Sequence, residues 1–125
     1  TGELVQRIKT DEAIYATPLV YKNKLYVASL DKKLYCFDMQ TGSAIWRFAA
    51  KGRMFASPQA IRGKIYVGSN DARLYELDAD TGENTAIFQA TERITDKIAY
   101  NRDTGDIFLS TFANEIYCLT KENKA

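Results

Sequence analysis

The chain repeats itself. Residues 16–42, ATPLVYKNKLYVASLDKKLYCFDMQTG, align without a gap on residues 56–82, ASPQAIRGKIYVGSNDARLYELDADTG. Pro18 matches Pro58, Tyr26 matches Tyr66, Asp31 matches Asp71, and Thr41-Gly42 match Thr81-Gly82, each at an offset of 40. A more divergent third copy runs over residues 95–119, where DIFLSTFANEIYCL (106–119) matches KIYVGSNDARLYEL (64–77) at an offset of 42. The two extra residues fall in NRDTGD (101–106), which replaces the short turns KN and RG. A turn is where a hairpin repeat absorbs an insertion. A period of this length restricts the chain to architectures in which each unit buries its apolar face against the next.

Each copy reads strand, turn, strand. TPLVY ends at the Lys22-Asn23 turn, KLYVAS runs to a turn at Asp31, KLYCFD runs to the corner at residues 39–42, and SAIWRFAA follows as a fourth strand. The eight tyrosines and six phenylalanines sit mostly among Val, Ile and Leu, company that favours strands. No stripe of helical period survives the Gly, Asn and Asp punctuation. Four short strands every 40 residues is the spacing of a β-propeller blade. The sequence therefore predicts an all-β fold: blades of four antiparallel strands, about three repeat units, in part of a larger propeller.

The units fall at about 9–48, 49–88 and 89–125 of a single segment spanning 1–125, with 1–8 as the outer strand of a preceding unit. Thr1-Gly2 stands 40 residues before Thr41-Gly42, so ELVQRI (3–8) corresponds to SAIWRF (43–48), with Gln6 in the place of Trp46. At the other end Asn123-Lys124 fall where Thr-Gly would be. Propellers close with about four blades or more, so we expect a piece of a longer chain. The alternative is a homo-oligomer in which copies assemble into a closed ring.

Composition removes whole classes of function. Formal net charge is +1, from 17 basic and 16 acidic residues without a dense run of either sign, which is no footprint for nucleic acid. No apolar run approaches the roughly 20 residues of a membrane span. The chain has no histidine, and so no Ser-His-Asp triad or His-ligated zinc. Its two cysteines, Cys36 and Cys118, take equivalent places in units one and three. We expect them to be free, small core thiols, too far apart to bridge. The recurring acids Asp31, Asp38, Asp71 and Asp78 read as turn formers, since calcium needs several oxygens converging on one point. Lys32, Lys33, Arg53, Arg62 and Arg73 are scattered, as on a solvated surface.

The most distinctive element is the corner LYCFDMQTGSAIW (34–46), answered by LYELDADTGENTA (74–86). An Asp opening a tight corner can accept backbone N–H bonds, and Gly supplies positive φ. Trp46 adds a large apolar plate with one N–H to satisfy. Cys36, Asp38, Thr41, Gly42 and Trp46, with Asp78, Thr81 and Gly82, are therefore expected to be structural. In unit two Ala86 stands where Trp46 stood, although Phe88 keeps the place of Phe48.

This pattern resembles the A-x-D-x-x-T-G-x-x-x-W repeat of the pyrroloquinoline-quinone-type (quinoprotein-like) β-propellers, with Cys36 in the small-residue place. In that family the segment is a tryptophan-docking motif that locks blade to blade. The resemblance implies one of two roles. Dehydrogenase members hold the quinone in a central channel with a vicinal disulfide and a calcium ion bound by Glu, Asn and Asp. Non-enzymatic members are scaffolds, and the bacterial periplasm or cell envelope is the compartment the resemblance favours. We expect the scaffold branch: no catalytic, cofactor-binding or metal residues, no cofactor, and a protein partner or the remainder of a propeller as the binding surface. Met54 and Phe55, in the connection GRMFASP (52–58), are the candidate partner-facing residues, with packing between blades as the role expected ahead of that one. The alternatives are a fragment of a quinone-dependent dehydrogenase and the self-assembling three-unit chain.

Overall fold

The computed structural model describes residues 2–4 and 7–120. The first sheet consists of β1 (Leu19–Tyr21), β2 (Lys24–Ala28), β3 (Lys33–Asp38) and β4 (Ala44–Ala49), in that order. The second repeats it with β5 (Gln59–Ile61), β6 (Lys64–Gly68), β7 (Arg73–Asp78) and β8 (Asn84–Gln89). The third has β9 (Ala99–Tyr100), β10 (Ile107–Ser110) and β11 (Ile116–Leu119). Every pairing is antiparallel. Among the described residues no helix is long and apolar enough to cross a membrane.

The hairpins follow from their turn residues. Lys22 and Asn23 both have positive φ (51° and 66°), as do Arg62 and Gly63 (48° and 80°), which is the two-residue turn whose twist matches the strands. The turns between the second and third strands each place a residue without glycine's freedom at positive φ: Lys32 (74°), Ala72 (69°) and Asn114 (65°). Ala72 is the strained case, because its Cβ crowds the following carbonyl and it has no polar side chain to compensate. Ala72→Gly is expected to raise unfolding stability by about 0.5–1 kcal/mol, the relief of strain outweighing glycine's chain entropy. A urea melt checks this.

Burial explains the strand composition. Middle strands of the first two sheets carry consecutive buried residues (Tyr26, Val27 and Ala28; Leu34 to Phe37), as in strands covered on both faces, whereas β10 of the third sheet alternates buried and exposed. The outer strands β4 and β8 are mostly exposed or half-buried. One core joins the first two sheets: Tyr26, Leu34 and Cys36 meet Ile65, Val67, Tyr75 and Leu77. A second joins the second and third: Tyr66 and Leu74 meet Ile107 and Leu109. The blades thus stack in sequence order and do not close. The innermost strands stand side by side, and the Thr17 N–H donates to Ser57 Oγ at 2.9 Å.

Two expectations are corrected. Met54 is fully buried in the first core, so it offers no partner surface. Its equivalents Ile14 and Ile94 explain why: Ile94 and Met54 each sit between two sheets, while Ile14 is 44% exposed. Cys118 is free as expected but exposed, not a core thiol like Cys36. Its strand β11 forms the edge of the third sheet, and neighbouring Ile116 is 77% exposed where Leu34 and Leu74 are buried. The leading outer strand expected over 1–8 would pair within a preceding unit; Val5 and Gln6 lie outside the described residues. None of the three sheets gives this segment a ladder; Ile8 instead packs on Val27, Tyr35 and Phe37. The Thr1 half of the first corner and Asn123-Lys124 also lie outside the described residues.

Candidate functional site

The corners are built alike. Gln40 and Thr41 N–H groups donate to Asp38 Oδ1 at 2.8 and 3.1 Å, Gly42 N–H donates to the Asp38 carbonyl at 2.8 Å, and Gly42 has φ 76°. Asp80 and Thr81 N–H groups donate to Asp78 Oδ1 at 2.9 and 3.0 Å, Gly82 N–H donates to the Asp78 carbonyl at 2.8 Å, and Gly82 has φ 78°. A β-bulge precedes each, at Cys36/Phe37 and Glu76/Leu77. It re-aims the strand into the turn.

These N–H donors favour the charged carboxylate, so both Asp38 and Asp78 are held below the usual aspartate range, chiefly by Thr41 with Gln40 and by Thr81 with Asp80. A folded pKa below the unfolded one contributes stability that is present above the unfolded value and lost as pH falls through the folded one. The double variant Asp38→Asn/Asp78→Asn should therefore lose less stability than the parent when acidified through and below the ordinary aspartate range. Urea melts across that window check this; equal losses would show that the corners do not sense pH.

Trp46 does not pack on its own corner. Its indole lies across the next one: a Cβ added at Gly82 would stand 2.4 Å from Trp46 Cδ2. Trp46 Nε1–H donates to the Ala79 carbonyl at 3.1 Å, and the Tyr26 hydroxyl donates to the same oxygen at 3.0 Å. The Tyr26 and Trp46 rings are 5.9 Å apart. One carbonyl in blade two thus anchors two aromatic side chains of blade one.

The second joint is different. Ala86 takes the Trp46 place, and Glu76 takes that of Cys36. The Tyr66 hydroxyl turns back into its own sheet, donating to Glu76 Oε2 at 2.5 Å, while Thr85 Oγ1 donates to Glu76 Oε1 at 2.7 Å. Burial, with Glu76 as neighbour, pushes the Tyr66 hydroxyl well above its ordinary range. In sequence, unit three has Thr120 where Asp38 and Asp78 open the earlier corners. In sequence, this joint has neither the tryptophan nor the Asp-x-x-Thr-Gly motif.

A third corner appears elsewhere. Asp103 and Thr104 N–H groups donate to Asn101 Oδ1 at 2.9 and 3.3 Å, and Gly105 N–H donates to the Asn101 carbonyl at 2.7 Å, with Gly105 at φ 83°. The inserted NRDTGD is this same turn, moved to the first hairpin of unit three. Asn-x-x-Thr-Gly was visible in sequence as a variant of Asp-x-x-Thr-Gly.

The opposite end of the blades carries the connections between units and the turns between second and third strands. Leu30, Asn70 and Phe112 N–H groups donate to the carbonyls of Ala13, Arg53 and Arg93, tying turn to connection in every unit. On this frame Tyr15, 75% exposed, meets half-buried Phe55 edge to face at 5.2 Å. The Arg93 guanidinium lies over the exposed Phe112 ring at 4.1 Å. Asn70 Oδ1 is buried and accepts no hydrogen bond. Tyr15, Phe55, Asn70, Arg93, Thr95 and Phe112 border a shallow, open depression of about 540 Å³. Of the expected partner-facing pair, only Phe55 is here. Tyr15, Arg93 and Phe112 were missed, although Phe112 in the register place of Asn70 was a signal.

Fold and corner together define a quinoprotein-type β-propeller, of which this chain forms three blades. A family model described as outer membrane protein assembly factor BamB matches residues 1–95, and the chain belongs to that family. The crystal structure of BamB from Moraxella catarrhalis superposes with a TM-score of 0.80 at 17% identity, over 90% of this chain and 35% of that one. A quinohemoprotein alcohol dehydrogenase, ADHIIG from Pseudomonas putida HK5, superposes at 0.65 with 18% identity, over 74% of this chain and 20% of that one. At these identities the likeness is one of fold, and the chain spans only about a third of the BamB structure. No curated protein sequence matches it.

The residues present do not fit a quinone site. Cys36 is inside the first core and Cys118 is on the exposed edge strand of another sheet, so they form no vicinal clamp. Among the described residues no three metal-ligating side chains converge.

Proposed function

We propose that this chain is part of a non-catalytic propeller scaffold serving outer membrane protein assembly, and that it holds a protein partner at the connection end of its blades. The observation that carries this reading is the cluster of Tyr15, Phe55, Phe112 and Arg93. Exposed aromatic and arginine side chains on rigidly tied loops are the usual anchors of protein interfaces, and the cation–π pair pre-sets the guanidinium. Asn70 Oδ1 adds a buried acceptor in need of a donor. Membership of the assembly-factor family supplies the process.

The test is site-specific photo-crosslinking in bacterial cells, with the probe at position 112 or, at the opposite end, at exposed Met39. The expected result is an adduct from 112 to a component of the assembly machinery, weakened by Tyr15→Ser with Arg93→Ala and absent from position 39. Equal adducts from both ends, or adducts indifferent to those substitutions, would overturn the reading.

A further inference from the structure

We propose that the inner side of the three blades, next to the connection-end depression, binds an extended, unfolded peptide segment chiefly through the segment's main chain. The starts of the three innermost segments, residues 15–19, 55–59 and 95–97, border an open groove of about 530 Å³. Tyr15, Phe55 and Thr95 line both this groove and the depression beside it, so the two form one continuous surface.

The polar groups of this surface are uncommitted. The side chains of Gln59, Thr95, Asp96 and Lys97 make no hydrogen bond or ion pair among the described residues. At the opposite end of the blades such groups are engaged: Asp38 and Asp78 hold their corners, and Lys24 pairs with Asp80 at 3.1 Å. Asn70 Oδ1, on the wall of the depression, is buried and accepts nothing. Donors and acceptors are mixed, since Lys97 and the Gln59 amide donate while Asp96, the Gln59 carbonyl and Asn70 Oδ1 accept. A peptide main chain brings one N–H and one C=O per residue and suits that mixture. An anion does not, because Asp96 stands next to Lys97. Nor does a sugar ring: Tyr15 and Phe55 meet edge to face at 80°, a corner for a side chain and not a flat platform.

The frame is already set. Pro18 and Pro58 fix the chain along the groove, and the Thr17 N–H bond to Ser57 Oγ holds the first two segments together. Little is lost in ordering the walls, so the cost of binding falls on the peptide. A surface that reads main chain tolerates many sequences. This inference stands apart from the partner proposed above: peptides can bind whether or not position 112 crosslinks to an assembly component.

Two capped, uncharged peptides of about eight residues, long enough to cross the groove when extended and unrelated in sequence, are the probes. They are titrated into the full chain and followed by amide NMR. Both are expected to give saturable shifts at Ser57, Gln59, Asn70 and Thr95. Esters in place of alternate amides remove N–H donors without adding bulk, and should weaken binding by about tenfold or more. Gln59→Ala with Asp96→Ala should weaken it by about threefold or more, and Met39→Ala, at the opposite end, should leave it unchanged. Shifts that stay linear to the solubility limit, shifts gathered elsewhere, or equal affinity of ester and amide forms would overturn the proposal. So would cellohexaose saturating these residues where the peptides do not. If the double variant does not fold, the ester comparison, made on the unaltered chain, decides.

Discussion

Replacing Trp46 by alanine is expected to destabilise the chain by about 3 kcal/mol, the lower part of the range for large aromatic truncations because the ring is half-buried. Three losses add. The indole's apolar contact with Tyr26 and Gly82 disappears. The hydrogen bond to the Ala79 carbonyl is lost, although Tyr26 still donates to that oxygen, which limits this part. A cleft also remains, because Phe48 keeps its edge-to-face contact with Tyr75 and holds the walls apart. Trp46→Phe should recover most of the contact but not the hydrogen bond, and so fall between the two. Urea melts monitored by far-ultraviolet circular dichroism measure this without needing the tryptophan as a probe. A loss well under about 1 kcal/mol would place the indole outside the joint.

Gly82→Ala should cost a similar amount for two separable reasons. The residue sits at φ 78°, where any L side chain carries a penalty of about 1–2 kcal/mol. Its Cβ would also stand 2.4 Å from the six-membered ring's inner carbon, so the indole must leave its seat. In a Trp46→Ala background the second reason vanishes, and Gly82→Ala should cost only the backbone part. The cycle is therefore expected to be strongly non-additive. Additive costs would mean that the indole accommodates the methyl. Gly105→Ala is the control, since it shares the conformation (φ 83°) but meets nothing within 4 Å.

Much of the architecture was legible because the repeat writes it three times. Pro18 with Pro58, Tyr26 with Tyr66 and the Thr-Gly corners fixed the strand spacing, and turn chemistry fixed the hairpins. The side-chain environments were harder, since equivalent positions acquire different neighbours. Ile14, Met54 and Ile94 are one position in three units, yet two are buried and one is half open. Cys36 and Cys118 share a register place but not a cover. The resemblance implied that Trp46 locks onto a neighbouring blade, but not which atom receives its N–H, because that acceptor is the backbone carbonyl of Ala79, invisible in the side-chain code. The connection-end cluster was harder to see: Arg93 repeats Arg53 and Tyr15 is answered by Phe55, while Phe112 diverges from Leu30 and Asn70.

The unlike joints also bear on how such a chain avoids misassembly. Similar units tempt a repeat protein to stack out of order or to exchange blades between molecules. Here the first joint is keyed by an indole that requires a glycine corner, while the second is keyed by a carboxylate that satisfies Tyr66 from within. Setting blade one against blade three would bring the indole to Thr120, where no Asp opens a corner to receive it. The divergence at residue 86 thus leaves two neighbouring joints that are chemically unlike, so that the blades are not interchangeable copies.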